Sequence, residues 1–255
     1  MAALAKGLCR LGCEAQQVCV GGEDSEALSV LVREARNIVV NCPPRVKGLA
    51  LTLADVLGMA TPGATIYTCG PRRAKEEDAR LIDLWMDEGL LRENAYLTAE
   101  GAVSAAMVAG QRCMRGSQCV VIGWGRVGSA LAELLVSMGA AVTVVSRTEA
   151  HRNRAIERGA EAVSPEEMAS ALAGTHFIFS TPPAQVLGLD ALHQVNPEAL
   201  VIDLASSPYG VDLSAAWDLG LRAWREPGLP GRYCPESAGL ATLNSILRCE
   251  GGKGR

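Results

Sequence analysis

Gly123-Trp124-Gly125-Arg126-Val127-Gly128 forms a G-x-G-x-x-G turn between an apolar run, "CVVI", and a helical run, "RVGSALAELLVSMG". These residue types at this spacing suit a pyrophosphate. The first glycine permits a tight turn, the second lets the backbone approach the phosphates, and the third lets helix and strand pack closely. Arg126, Val127 and Gly128 open the helix, whose first turn offers unpaired N–H groups and a partial positive charge. The next apolar run, "AVTVV", ends in Ser146, Arg147 and Thr148. An NAD enzyme places an acid there to accept from ribose hydroxyls, and that acid would repel a 2′-phosphate. Two hydroxyls and a planar cation attract one instead, and the guanidinium also suits stacking on adenine. Arg152 and Arg154 add positive field a turn later. The predicted cofactor is NADP, with NAD as the alternative.

Two further strand ends face the same crevice, because ligands of parallel sheets bind beyond the carboxyl ends of the strands. "FSTPP" brings Thr181 and Pro182, and "DLASSP" brings Asp203, Ala205 and Ser206. Small and hydroxylic residues there let a nicotinamide riboside lie against backbone. Asp203 reads either as a proton-handling carboxylate or as a turn cap. Oxidation of an alcohol would call for a strong base, commonly a His paired with a carboxylate. His151, His176 and His193 all precede the C-terminal loops and are poorly placed for it. The nine cysteines form no C-x-x-C and no Cys/His cluster with metal spacing, so they read as small hydrophobes and no metal site is expected.

From about residue 113 the chain alternates β-like runs (119–122, 142–146, 161–164, 176–180, 199–204, 221–225) with helical stretches (126–138, 149–158, 165–173, 184–194, 212–219). That alternation predicts an α/β fold with a doubly wound parallel sheet. Ser164-Pro165-Glu166-Glu167 is a helix start, and Gly139, Gly159 and Gly220 sit where helices stop. The first half is a weaker version of the same pattern. "ALAKGLCRLG" reads as helix; "AQQVCVG", "NIVVNCPP" and "GATIYTCG" read as strands; "EEDARLIDLWMDEG" reads as an amphipathic helix. The expected organisation is two Rossmann-like lobes. Residues 1–97 make the smaller N-terminal lobe, 98–115 an Ala-rich interdomain helix, 116–234 the NADP-binding domain, and 235–255 a closing helix with a frayed tail, packed back on the first lobe. Because the first lobe opens on a helix where its central strand belongs, the expectation is that about 30 residues, one strand and its flanks, precede Met1 in the natural protein.

Composition narrows the partners. The chain is 49% hydrophobic and 20% charged with a formal net charge of −4, and its 24 Lys and Arg are dispersed among 28 acids. A basic stripe for nucleic acid or anionic membrane is absent. With two Phe, four Tyr and four Trp there is no base-stacking platform. No apolar run reaches the ~20 residues of a membrane span, and single cysteines without a signal peptide suggest a reduced, cytoplasmic setting.

The chain resembles the dipicolinate synthase A-type family of spore-forming bacteria. The residues that carry the resemblance are "TAEG" (98–101), "GSQCVVIGWGRVG" (116–128), "SRTEAH" (146–151), "VIDLASSPYGVD" (201–212), "PGLPG" (227–231) and "PESAG" (235–239). The resemblance implies a pyridine-nucleotide-dependent oxidising polypeptide working with a B-type companion in the mother cell during sporulation. Its substrate would be a small cyclic imine dicarboxylate, (hydroxy)tetrahydro- or dihydrodipicolinate, and its product dipicolinate. On that reading Glu100 and Asp203 are the candidate catalytic carboxylates. Thr98, Gly228, Leu229, Pro230, Gly231 and Ser237 are candidate donors and walls for the dicarboxylate, and a homo-oligomer stays open. Two other readings stay open as well: a nucleotide-binding regulatory or scaffold component without its own catalysis, and another two-domain NADP dehydrogenase of a small carboxylate.

Overall fold

The computed structural model describes residues 4, 6, 9, 25–40, 53–69 and 80–251. In chain order these carry α1 (Ser25–Glu34), β1 (Asn37–Val40), α2 (Leu53–Met59), β2 (Thr65–Thr68), β3 (Arg80–Asp83) and α3 (Glu88–Gly110). Then follow β4 (Gln118–Ile122), α4 (Arg126–Ser137), β5 (Ala141–Val145), α5 (Glu149–Glu157), β6 (Glu161–Val163), α6 (Met168–Ala173) and β7 (Phe177–Ser180). The last elements are α7 (Leu189–Leu192), β8 (Leu200–Asp203), α8 (Leu213–Asp218), β9 (Arg222–Arg225), α9 (Leu229–Tyr233) and α10 (Pro235–Gly251). The chain divides into two compact units, 1–91 with 236–255, and 92–235. The strand expected at 15–21 and most of the opening helix fall outside the described residues.

In the first unit β1, β2 and β3 form a parallel sheet in that order. Its core joins Tyr67, Leu84 and Leu90 to Ala241, Leu243 and Ile246 of α10. Of the stretch 76–89, expected as one helix, residues 76–79 lie outside the described residues and 80–89 split instead. Arg80–Asp83 is a strand, Leu84–Met86 a 3₁₀ turn, and α3 begins at Glu88. Apolar residues at 81, 82 and 84 fit either period. What decides between them is the open edge of β2, whose Ile66 and Tyr67 pair with Leu81 and Ile82. Asp83 then ends the strand, its carboxylate accepting from the Trp85 N–H at 2.9 Å.

Asp87 fastens α10 within this unit. Its Oδ2 accepts from Arg248 Nε at 3.1 Å and Nη2 at 2.5 Å, and its Oδ1 from the Gly89 N–H at 3.0 Å. The Arg248 guanidinium leads in holding this carboxyl down to about 2. A folded pKa below the unfolded value contributes stability above the unfolded value, and the contribution is lost as pH falls through the folded one. Because Arg248 is 48% exposed, the pair is screened and contributes about 1 kcal/mol. Arg248→Met is therefore expected to lower the urea midpoint at pH 6, with the gap to the parent closing between pH 4 and pH 2.

The second unit holds six parallel strands in the order β6-β5-β4-β7-β8-β9. β7 and β8 are buried along their whole length, as a sheet covered on both faces requires. Successive residues alternate between two cores. One face packs Val121, Val144, Phe177 and Phe179 under α3 and α4, with Ala99, Val103, Leu131 and Leu135. The other packs Val120, Ile178 and Val201 against Leu172, Leu192 and Ala216 of α6, α7 and α8. Each fully buried Leu or Phe adds roughly 1.5–3 kcal/mol of burial. α3 starts ten residues before the expected interdomain helix and lies close on this sheet through its small residues; a Cβ on Gly110 would stand 2.8 Å from the Phe177 ring. Arg222 Nη2 donates to the Ala109 carbonyl at 2.7 Å, capping the end of α3.

At the helix start expected from Ser164-Pro165-Glu166-Glu167, Ser164 and Glu167 form a capping box, and the first turn is 3₁₀. The helix expected over 184–194 is reduced to Leu189–Leu192. Pro182 and Pro183 stiffen the entry, and the N–H groups of Val186 and Leu187 donate to the Gly210 carbonyl rather than to a helix. Leu187 bridges Val211 in parallel, binding this loop to the one after β8.

Candidate functional site

The register sets Val163, Val145, Ile122, Ser180, Asp203 and Arg225 in one row across the sheet. That row is its carboxyl edge. Strand order reverses beside β4, the position at which a parallel sheet opens a crevice. The residues just past the row are Gly123, Ser146, Thr181, Leu204 and Glu226.

The three glycines occupy three different environments. Gly123 has φ +95 and donates its N–H to the Val145 carbonyl at 2.9 Å. Gly128 is buried so closely that a Cβ would lie 2.2 Å from the Gly123 carbonyl oxygen. Gly125 caps α4 without any side-chain bond, and a Cβ there would meet nothing within 4 Å. Open space over the N–H groups of a first helical turn is a cradle for phosphate, so these residues fit a dinucleotide. Arg126 is exposed and Val127 half-buried beside it. Thr181 serves the turn rather than the crevice, since its hydroxyl donates to the Ile122 carbonyl at 2.8 Å; Pro182 lies against Gly123 next to it.

At the adenosine end, Ser146 is 7% exposed, whereas Arg147 and Thr148 are exposed. Thr148 is the N-cap residue of α5 but makes no side-chain cap bond. Arg147 has no ion pair or hydrogen bond from its guanidinium among the described residues. Arg152, expected to add field, turns inward instead: its Nη1 donates to the carbonyls of Ser146 (2.8 Å) and Arg147 (3.0 Å). It shapes the loop that presents Arg147.

Asp203 proves to be the organiser of a loop. It is 1% exposed, and its two oxygens accept from the N–H groups of Ala205 (3.1 Å), Gly210 (3.1 Å) and Val211 (3.2 Å). Arg225 Nε stands 3.5 Å from Oδ2, and the same guanidinium lies 3.9 Å over the Tyr209 ring. Tyr209 holds φ +73, a strained value for a side-chain-bearing residue. With its lone pairs filled by backbone donors, Asp203 is a turn carboxylate and not a free base. Ala205 is half-buried and Ser206 exposed on this loop.

The expected substrate wall is partly redistributed. Thr98 is 9% exposed and spends its hydroxyl on the Asn94 carbonyl one turn back, at 2.6 Å. Leu229 is 1% exposed and packs under α3, where a Cβ on Gly101 would come within 3.0 Å of it. Neither presents anything to a ligand. "PGLPG" is less a loop than a helix start: Gly228 takes φ +67 as the cap and α9 begins at Leu229, with Pro230 half-buried and Gly231 exposed. The packing of Leu229 on Gly101 joins "PGLPG" to "TAEG". Glu100 is exposed at that junction, and its charge adds to burial in raising the Cys234 thiol above its ordinary range. Ser237 is exposed in the first turn of α10, within the other unit.

His176 is a structural acceptor, its Nδ1 taking the Gln118 N–H at 2.9 Å at the opposite, amino edge of the sheet; burial and then Arg112 keep it below its ordinary value. Burial alone pushes the Cys119 thiol up to about 12. Among the described residues no cluster could hold a metal ion, and no helix is long and apolar enough to cross a membrane. Sequence reasoning missed Glu226, buried at 8% just past the row. The available signal was its place directly after β9, in register with Leu204.

Comparison with known proteins agrees with this geometry. Residues 89–209 match the model of the D-isomer specific 2-hydroxyacid dehydrogenase NAD binding domain. The chain is 31% identical over 175 residues to the A-type polypeptide of dipicolinate synthase from Bacillus subtilis (strain 168). That alignment covers 69% of this chain and 59% of the Bacillus subtilis protein, so the match spans less than two thirds of the relative's length. The crystal structure of the corresponding Bacillus subtilis dipicolinate synthase polypeptide superposes with a TM-score of 0.74 at 26% identity, covering 86% of this chain and 79% of that one. Its counterpart from Bacillus halodurans gives 0.73 at 24% identity, covering 86% and 80%. By sequence and by fold the chain is similar to the A-type polypeptides of dipicolinate synthase, and its residues 89–209 match an NAD-binding domain of the 2-hydroxyacid dehydrogenase type.

Proposed function

We propose that this protein is a nicotinamide-dependent oxidoreductase. In this reading it oxidises dihydrodipicolinate to dipicolinate with NADP, together with a B-type companion, in the cytoplasm of a sporulating mother cell. One observation supports it most: the three glycines of the turn at the sheet's switch point take the tight, open and close-packed environments that a pyrophosphate turn needs. A nicotinamide dinucleotide held by its pyrophosphate at this turn would supply the hydride acceptor. Loss of a hydride and a proton leaves an aromatic pyridine, so the step is strongly downhill and demands little of the protein beyond placement and a proton acceptor. That agrees with a site lacking a His–carboxylate pair.

Within this proposal Arg126 to Gly128 supply backbone N–H groups to the pyrophosphate, and Arg147, steadied by Arg152, takes the 2′-phosphate. Ser206 and the exposed backbone at Gly228 and Gly231 line the ring. Glu100, exposed beside the "PGLPG" segment, receives the proton.

The test is to mix the purified chain, its companion polypeptide, the enzymatically made imine and NADP, and to record dipicolinate and NADPH together. Equimolar appearance of both is expected. Dipicolinate formed without nucleotide would favour a scaffold role, and oxidation only of some other small acid a different dehydrogenase. In calorimetry NADP should bind more tightly than NAD. One charge-assisted contact is worth about ten- to a hundredfold, and Arg147→Ala should remove that margin while NAD affinity stays the same. Equal affinities in the parent protein would discard the NADP assignment.

A further inference from the structure

Glu226 is a buried carboxylate that no step proposed above uses. Its backbone N–H donates to the Asp203 carbonyl at 3.0 Å, which places it on the carboxyl edge, past β8 and β9. Adenosine and pyrophosphate belong over β5 and β4, so the β8–β9 end is where the nicotinamide's reaction partner belongs. Glu226 Oε2 accepts from the Trp224 indole N–H at 2.6 Å, and Oε1 accepts from Arg232 Nη1. The two ends of that ion pair are unlike: the Glu226 side chain is 8% exposed and the Arg232 side chain 56%.

A pair built for stability gains little from this arrangement, because burying the carboxylate is costly and an exposed guanidinium repays it poorly. The arrangement does fix the cation. The carboxylate holds one N–H, the Tyr233 ring lies 5.7 Å from the guanidinium carbon, and α9 is pinned through Leu229 against Gly101. A guanidinium has five N–H donors, so with Nη1 engaged the others remain for a second carboxylate, which a planar fork binds through two parallel bonds. The same α3–α9 junction carries Glu100.

We propose that Arg232 binds one ring carboxylate of a heteroaromatic dicarboxylate, and that Glu226 is the positioning residue that aims it. The inference rests on the substrate class given above and adds the group that recognises it. Arg225 also stands beside a buried carboxylate, Asp203, but its guanidinium lies over the Tyr209 ring, whereas the Arg232 side chain stays 56% exposed.

The test uses the full chain saturated with NADP and titrates dipicolinate by calorimetry. The parent is expected to bind it, and Arg232→Ala to bind it about ten- to a hundredfold more weakly, with NADP affinity kept. Added guanidinium ion should restore part of the loss, which a merely structural role would not allow. Glu226→Gln, with Arg232 intact, should lose several-fold. Should Arg232→Ala fail to fold, Arg232→Lys takes its place, keeping the charge and losing the fork, again with several-fold weaker binding expected. Parent-like dipicolinate affinity in the Arg232 variants, or a parallel loss of NADP and dipicolinate without rescue, overturns the inference alone. A parent that binds NADP but no dipicolinate overturns the substrate reading itself.

Discussion

Asp203→Ala is expected to cost about 3–5 kcal/mol of stability and to lower the melting midpoint by about 10 °C. The side chain is the acceptor for three backbone N–H groups, of Ala205, Gly210 and Val211, in a buried corner where water cannot replace it. Each orphaned donor costs about 1–3 kcal/mol. The neighbouring Arg225 loses its anion as well, and Tyr209 loses the support that holds its positive φ. Asp203→Asn should fall between, because one oxygen still accepts while the new amide faces donors. Thermal melts and NADP titrations on both variants separate the roles. A variant with parent stability and NADP affinity that fails only in turnover would return Asp203 to the chemistry.

Gly128→Ala should be as severe, and Gly125 in the same turn provides its internal control. The methyl at 128 would lie 2.2 Å from the Gly123 carbonyl oxygen and 2.9 Å from its carbon. Those are backbone atoms of the turn itself, so they yield only if the turn moves. A stability loss of about 3 kcal/mol is expected, with NADP affinity down about a hundredfold or more. Gly125→Ala meets no atom and should melt like the parent, yet its methyl fills the phosphate approach and should also abolish NADP binding. Denaturation and calorimetry on the pair read the two effects apart. Should Gly125→Ala bind NADP normally, the cradle is not where the phosphates lie.

The second unit was legible in the sequence because its signals agree with one another. The runs that became β4, β7 and β8 carry uninterrupted apolar residues, CVVI, FIF and LVI, and a glycine or proline punctuates each crossover. The first unit was not, because "ARLIDLWM" satisfies both helical and strand periods and only the free edge of β2 decides between them. At the site, the glycines and the Ser146–Thr148 strand end could be placed from spacing alone. Thr98 and Leu229 could not be assigned, since whether a hydroxyl or an isobutyl group faces solvent depends on which side of α3 or α9 meets its neighbour. Asp203 carried both readings in the sequence; only the loop folding back through Gly210 and Val211 separates them. Glu226 went unseen because a lone Glu before a proline resembles any solvated turn until the indole of Trp224 and the guanidinium of Arg232 close over it.

Arg152 holds the Ser146 and Arg147 carbonyls, while the Thr148 side chain makes no cap bond to the helix it precedes, so among these residues it is Arg152 that ties down the main chain. Substitutions at the two exposed positions, 147 and 148, are therefore expected to leave the loop's course unchanged.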